Sequence, residues 1–353
     1  VLGLAGAMAT LGHKVELLTT EPGRESTEQP SPGLTVHRCL RQWPSALAVS
    51  PSLQQRLRAG PYELIHHHAI WQRSLHYATD AAGRRHVPLV ISPRGMMSPW
   101  AWRHHRWKKF LAQHLVHSGA FDAAAGWHAT SREEADDIRR LGFTQPVCVA
   151  PNGVTIPAAA AQQSARDYWL NHCPELGQRR VALYYSRFHA KKRILELIDL
   201  WASRQPRDWI LLAVGIPDGY SIATLQDHAR KAGASDHVRF FDGTDTPEPY
   251  SVSSLYLLPS HSENFGLTIA ESLAHGVPVL TTDGTPWSQL AAKEAGLCVP
   301  WSEYDRSLQQ LLAEDDGVLR SRGRCGREWM ERDFTWQQSA ATLAVFYQEL
   351  PSR

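Results

Sequence analysis

Glu263 and Glu271 lie eight positions apart in the run Pro259-Ser-His-Ser-Glu263-Asn264-Phe265-Gly266-Leu267-Thr-Ile-Ala-Glu271-Ser-Leu-Ala-His275-Gly276-Val-Pro278. An apolar stretch ends at Pro259, a polar loop follows, and helical spacing begins near Gly266. The unpaired N–H groups and the dipole of a helix start suit an anion or a hydroxyl. Gly266 lets a ligand come close to the backbone. Glu271 falls about two helical turns beyond Glu263, so the pair suits hydroxyl groups at the two ends of an extended ligand. The bland alternative is a carboxylate that offsets the helix dipole, followed by a solvated one.

A second set, Tyr185-Ser186-Arg187-Phe188-His189-Ala190-Lys191-Lys192-Arg193, follows another apolar stretch. Arg offers a planar fork to phosphate oxygens and Lys a point charge. When a nucleoside diphosphate is the leaving group, negative charge grows on its phosphates, and fixed cations stabilise that charge without a metal. No Asp-x-Asp pair occupies a suitable loop, so metal-independent chemistry and no cofactor are expected. The alternative is an ordinary basic loop ahead of a helix. Taken with the two carboxylates, the set suits a nucleotide-sugar, and on residue types alone the bland readings of both sets stand beside that one.

The first half carries Glu63-Leu-Ile-His66-His67-His68-Ala69-Ile70-Trp71. Adjacent strand side chains point to opposite faces, so at most His66 and His68 share one, which argues against a metal set. A hydrogen-bonded structural histidine is one reading of His68. Ser92-Pro93-Arg94-Gly95-Met96-Met97-Ser98-Pro99-Trp100 places Arg94 just beyond a strand. That residue suits either a phosphate of the donor or acceptor, or a salt bridge between domains. From Trp100 to Phe110, Trp102 and Trp107 interleave with Arg103, Arg106, Lys108 and Lys109. This fits an amphipathic helix on anionic lipid or a helix with buried Trp and a solvated basic face. A net charge of +2 gives no case for nucleic acid.

These loops need strands to hold them. Apolar strands are expected at 14–18, 34–38, 64–68, 89–92, 126–129 and 147–150, then at 181–186, 209–214, 238–241, 255–258, 277–281 and 297–299. Helical patterns alternate with them, the signature of parallel βα units. The length of 353 residues suits two domains. They are read as 1–156, completed by a C-terminal helix at 336–353, and 157–335, with a polar, Ala-rich connection at 157–165. Two open parallel sheets result, and ligands bind at the carboxyl ends of such strands, in the cleft between the domains. The chain opens on a helix at 1–11 rather than on a buried strand and Gly-rich turn, so a preceding strand is expected to be missing from the sequence. Five scattered Cys fit a reducing compartment. No apolar run reaches the roughly 20 residues that span a bilayer. A cytoplasmic protein is expected, at the inner face of the membrane where the Trp-rich segment docks.

With these motifs stated, the chain resembles the family 4 glycosyltransferases, a retaining group with the GT-B fold, over nearly its whole length. Glu263 to Glu271 is similar to the family's E-x7-E region. Arg187 and Lys192 match its G-R-x4-K motif, with Ser186 in place of the Gly. The His66–Trp71 stretch is similar to D-V-V-H-x-H-G-L-W of bacterial polysaccharide transferases. The resemblance implies two Rossmann-like domains whose parallel sheets face a central cleft. It implies that Glu263 and the backbone of Asn264, Phe265, Gly266 and Leu267 hold the donor sugar and that Glu271 holds the ribose. His68 and Trp71 would border the acceptor. The nucleobase would lie by Phe240–Gly243, and Trp287 beside the donor loop. Where many members place a His near the anomeric carbon, this chain has Arg94, as in an S-P-R-G-M subgroup. The missing strand would bear the Gly-Gly loop that contacts the diphosphate.

The expected activity is metal-independent, retaining transfer of a hexosyl group from a nucleoside-diphosphate sugar to a saccharide or lipid-linked acceptor, in cell-surface polysaccharide synthesis. A sugar-nucleotide epimerase of the same fold would act on the donor without an acceptor. A non-catalytic sugar-nucleotide binding protein would give no product. A nicotinamide dehydrogenase would need G-x-G-x-x-G after a strand, and no such run occurs.

Overall fold

A computed structural model describes residues 1–98 and 119–351. The Trp100 to Phe110 segment lies outside the described residues. The chain divides into two compact units, Val1–Gly153 with Trp336–Arg353, and Val154–Thr335.

In the first unit α1 (Leu2–Thr10) leads into β1 (Val15–Glu21), β2 (Ser26–Ser31) and β3 (Leu34–Leu40). β1 pairs parallel with β3, and β2 pairs antiparallel with β3. The sequence reading missed β2. Its Ser-Thr-Glu-Gln-Pro-Ser carries no apolar alternation and is almost wholly exposed, so it is held by pairing with β3 and by polar contacts such as Arg38 Nη2 to Glu28 Oε1 at 2.8 Å. A second sheet holds β4 (Ile65–His68), β5 (Leu89–Ser92), β6 (Gly126–Ala129) and β7 (Val147–Val149), in that order and all parallel. In place of the expected single parallel sheet, the described strands of this unit form two sheets, β1-β3-β2 and β4-β5-β6-β7.

Helices α2 (Pro51–Ala59), α3 (Ser74–Arg85) and α4 (Arg132–Arg140) accompany these strands. β5 serves two cores by alternation. Leu89 and Ile91 join Leu75 and Trp127, while Val90 joins Leu4, Met8, Leu343 and Phe346. The last two belong to the C-terminal helix (Trp336–Glu349), whose apolar stripe thus returns the end of the chain to the first unit.

The second unit begins with α5 (Ala159–His172). The connection expected at 157–165 is mostly helix, because Ala and Gln favour that conformation and Trp169 anchors it. That ring is fully buried, and its Nε1–H donates to Pro247 O at 3.0 Å. Then come β8 (Arg180–Tyr185), α6 (Ile194–Arg204), β9 (Trp209–Gly215), α7 (Ile222–Lys231), β10 (Val238–Asp242) and β11 (Leu255–Leu258). After them follow α8 (Leu267–Ala274), β12 (Val279–Thr282), β13 (Gly296–Val299), α9 (Trp301–Ala313) and α10 (Asp316–Asp333). The sheet order is β10-β9-β8-β11-β12-β13, all parallel. That is the doubly wound order, with its reversal between β8 and β11.

Both faces of this sheet are covered, so its strands read as continuous apolar runs. Val181 and Leu183 enter one core with Trp169 and Trp287, while Ala182 and Tyr184 enter the other with Trp201 and Tyr304. Among the described residues no helix is long and apolar enough to cross a membrane.

Candidate functional site

The two motif loops of the second unit leave β8 and β11, the strands that flank the reversal in strand order. Ligands of open α/β sheets bind at that point, and two of the predicted residues meet there. Lys192 ends a short 3-10 turn at Ala190–Lys192, and its Nζ forms an ion pair with Glu263 Oε1. Both side chains are nearly buried, at 10% and 12% exposure. The loops are tied backbone to backbone: His261 N–H donates to Lys191 O at 2.8 Å, and Glu263 N–H to Gly284 O at 2.8 Å. Arg187 stands apart from the pair, exposed, with its Nη1 donating to Asp218 Oδ2 at 2.6 Å.

Gly215, which ends β9, was not singled out in the sequence. A Cβ on it would stand 1.8 Å from Ser186 O and 3.0 Å from the Phe188 ring. The Arg187 loop therefore runs at backbone contact over a residue that has no side chain. The available signal was a glycine closing a fully apolar strand, where close backbone approach is its usual meaning.

Beyond Glu263, Phe265 is buried with its ring 5.4 Å from Trp287, whose Nε1–H donates to Phe265 O at 2.5 Å. Trp287 thus packs against the Glu263–Gly266 loop. Gly266 takes a left-handed φ of 75° and opens α8 with no side-chain cap, and Leu267 is exposed. Asn264 lies in the same loop. Glu271, on α8, is largely buried and accepts from Tyr250 Oη at 3.2 Å. Burial, and next the charge of Glu248, push its carboxyl up to about 7 against the bond from Tyr250. His275 stands between the Glu271 backbone and the Glu248 carboxylate, with Nδ1 2.8 Å from the Glu271 backbone carbonyl oxygen and Nε2 3.5 Å from Glu248 Oε2.

In the first unit the polar residues gather at the carboxyl ends of β4 and β5. His66 and His68 share a face, their rings 4.3 Å apart. His128 Nε2–H donates to Ala150 O at 2.8 Å, so its Nδ1 must accept, and it does so from Ser92 Oγ at 2.7 Å. Ser92 then accepts from His66 Nε2–H at 3.1 Å, and His66 Nδ1 accepts from Tyr347 Oη at 2.7 Å. Burial keeps these rings neutral, holding His66 far below the usual range and His128 down to about 3. His66 and His128 are therefore committed to holding strands and the C-terminal helix together.

Arg94 is bonded to His68, with Nε at 3.2 Å and Nη2 at 2.9 Å from His68 Nδ1, and its Nη1 donates to Asn152 Oδ1 at 2.7 Å. The Trp71 ring packs edge-on against Phe121 at 6.4 Å. No three His, Cys, Asp or Glu among the described residues are placed to hold a metal.

Known proteins share this fold. Residues 1–153 match the family model described as glycosyl transferase 4-like domain, and residues 172–327 the one described as glycosyl transferases group 1. The D-inositol 3-phosphate glycosyltransferase of Jonesia denitrificans is 27% identical over 99% of this chain and 89% of its own length. Among solved structures, sucrose-phosphate synthase from Thermosynechococcus elongatus superimposes with a TM-score of 0.75 at 21% identity, covering 98% of this chain and 91% of that one. Anabaena HepE in complex with UDP-glucose gives 0.68 at 17% identity, covering 89% and 86%. Each unit matches its own glycosyltransferase model and the fold is theirs, so the chain belongs to the GT-B glycosyltransferases of the family 4 type.

Proposed function

We propose that this glycosyltransferase takes a hexosyl group from a nucleoside-diphosphate sugar and passes it, with retention and without a metal, to a saccharide or lipid-linked acceptor in cell-surface polysaccharide synthesis. The observation that carries the donor reading is the meeting of Lys192 and Glu263 where strand order reverses. In the free protein cation and carboxylate neutralise each other. A bound donor separates their tasks: Lys192, with Arg187, takes the diphosphate oxygens, and Glu263 takes sugar hydroxyls. The uncapped start of α8 offers further N–H groups to the donor, and Glu271 offers its carboxylate to the ribose. HepE, a structural neighbour, binds UDP-glucose, which supports a donor of this class. The polysaccharide role rests on the resemblance of the His66–Trp71 stretch to bacterial polysaccharide transferases.

In the transfer step the bond from the anomeric carbon to the diphosphate oxygen breaks, and a bond from the acceptor oxygen to that carbon forms on the same face. The acceptor's hydroxyl proton passes to a phosphate oxygen of the leaving group. Fixed cations act on charge that grows only in the transition state, so they lower the barrier rather than merely tighten binding.

Two tests follow. Product from an α-linked donor should carry an α-linkage by NMR, and turnover should be unchanged by excess EDTA; an inverted product or chelator-sensitive turnover rejects that part of the reading. The second test uses pH. A carboxylate that titrates near 7 accepts from both ribose hydroxyls only when ionised, so nucleotide affinity should rise about tenfold from pH 6 to pH 8. Glu271→Gln should flatten that profile in calorimetric titrations, and an unchanged slope removes Glu271 from the site.

A further inference from the structure

Arg94 is a half-buried cation without a counterion. Among the described residues of the first unit no carboxylate lies within ion-pair distance of it, and its partners are the neutral His68 and Asn152. Glu134 acts on it only through space. Both oxygens of Glu134 are engaged, Oε1 by Gly95 N–H at 2.5 Å and Oε2 by Thr130 N–H at 2.7 Å and Thr130 Oγ at 2.9 Å. A guanidinium has five N–H donors. These bonds use Nε–H, one hydrogen of Nη1 and one of Nη2, which leaves one N–H on each Nη with no acceptor among the described residues of the first unit.

His68 adds a further donor. Its Nδ1 accepts from Arg94, and burial, with His66 and Arg94 nearby, keeps the ring neutral, so the proton sits on Nε2. Nε2–H has no partner among the described residues. This tautomer makes His68 a hydrogen-bond donor and removes it as a general base.

The backbone is bent to hold this group. Arg94 takes a left-handed φ of 55°, and Ala69, next to His68, takes 74°. Such conformations cost non-glycine residues of order 1 kcal/mol each and cluster where ligands are handled. Both lie at the carboxyl ends of neighbouring parallel strands, the edge where such sheets bind ligands.

We propose that Arg94 and His68 form an anion subsite for the acceptor, so that the acceptor is an anionic saccharide carrying a phosphate or carboxylate. The proposal rests on the donor reading above, in which Arg187 and Lys192 of the second unit already serve the diphosphate and leave Arg94 as a surplus cation. Planar N–H donors from a guanidinium match phosphate or carboxylate oxygens in pairs.

The test uses the full chain, first alone and then saturated with whichever of UDP, GDP and ADP binds. Glucose, glucose 6-phosphate, glucuronate and inorganic phosphate are titrated calorimetrically. The anionic ligands should bind at least about tenfold tighter than glucose. Arg94→Asn, which tolerates the left-handed backbone, should abolish that preference while leaving nucleotide affinity within about twofold. Arg94→Lys should retain part of it. A preference that survives Arg94→Asn overturns the proposal, as does equal binding of glucose and its phosphate. A fall in nucleotide affinity in Arg94→Asn also overturns it, by assigning the anion to the donor. If no nucleotide binds at all, the donor reading fails, and the titrations on the free chain still decide this one.

Discussion

Lys192→Ala is expected to lower kcat/KM by about a hundred- to a thousandfold, the usual cost of losing one preorganised donor to developing charge. It is also expected to destabilise the second unit by about 3 kcal/mol, because it strands Glu263 as a buried charge without its cation. The two effects separate in a double variant. Lys192→Met with Glu263→Gln removes both charges, keeps similar volumes and should recover most of the stability, since replacing a buried pair outright is often close to neutral. It should recover no activity, because the cation and the sugar-binding carboxylate are both gone. Thermal unfolding and steady-state transfer on the wild type, the single and the double variant decide the matter. Recovery of turnover along with stability would mean that the pair is structural and that the donor binds elsewhere.

Gly215→Ala carries the second large effect and reaches the site from outside it. The new Cβ would meet Ser186 O at 1.8 Å, and a backbone carbonyl cannot rotate away as a side-chain tip does. The Arg187 loop must therefore lift, breaking the bonds Ser186 N–H to Val214 O and Phe188 N–H to Ile216 O. A stability loss of about 3 kcal/mol is expected from overpacking, with a fall in activity of about a hundredfold because an ångström of displacement moves a phosphate contact out of register. Gly83→Ala is the control. Gly83 lies on α3 with nothing within 4 Å of its Cβ position, so alanine there should be neutral or stabilise by about 1 kcal/mol. A Gly215→Ala protein with wild-type melting temperature and turnover would show that the loop is not held in the way described.

Much of this was readable in the chain. The inner strands of the second unit, such as Trp209–Gly215, Leu255–Leu258 and Val279–Thr282, are buried on both faces, so each announced itself as an apolar run of the right length, and the loops between them were legible as polar intervals with Gly, Ser and Pro. Elements whose stability comes from elsewhere were not legible. β2 has no apolar face and exists by pairing with β3. The helix Ala159–His172 was read as a connection because its one strong anchor, Trp169, packs against residues about eighty positions away. The pairing of β1 with β3, in a sheet apart from β4 to β7, left no mark in local periodicity.

The same division runs through the site. Residue types and spacing, together with the resemblance to the family 4 motifs, nominated Arg187, Lys192, Glu263 and Glu271 as donor candidates, cations and carboxylates on loops that follow strands. They were not enough to assign partners. That Lys192 neutralises Glu263 while Arg187 turns to Asp218, that Glu248 and burial lift Glu271 to about 7, and that Arg94 fixes the His68 tautomer all depend on side chains brought together across the sheet. A residue's chemistry is carried by its own atoms and its neighbours in the chain; its charge state, its partner and the space around it are set by groups distant in sequence, and those exist only once the strands have taken their order.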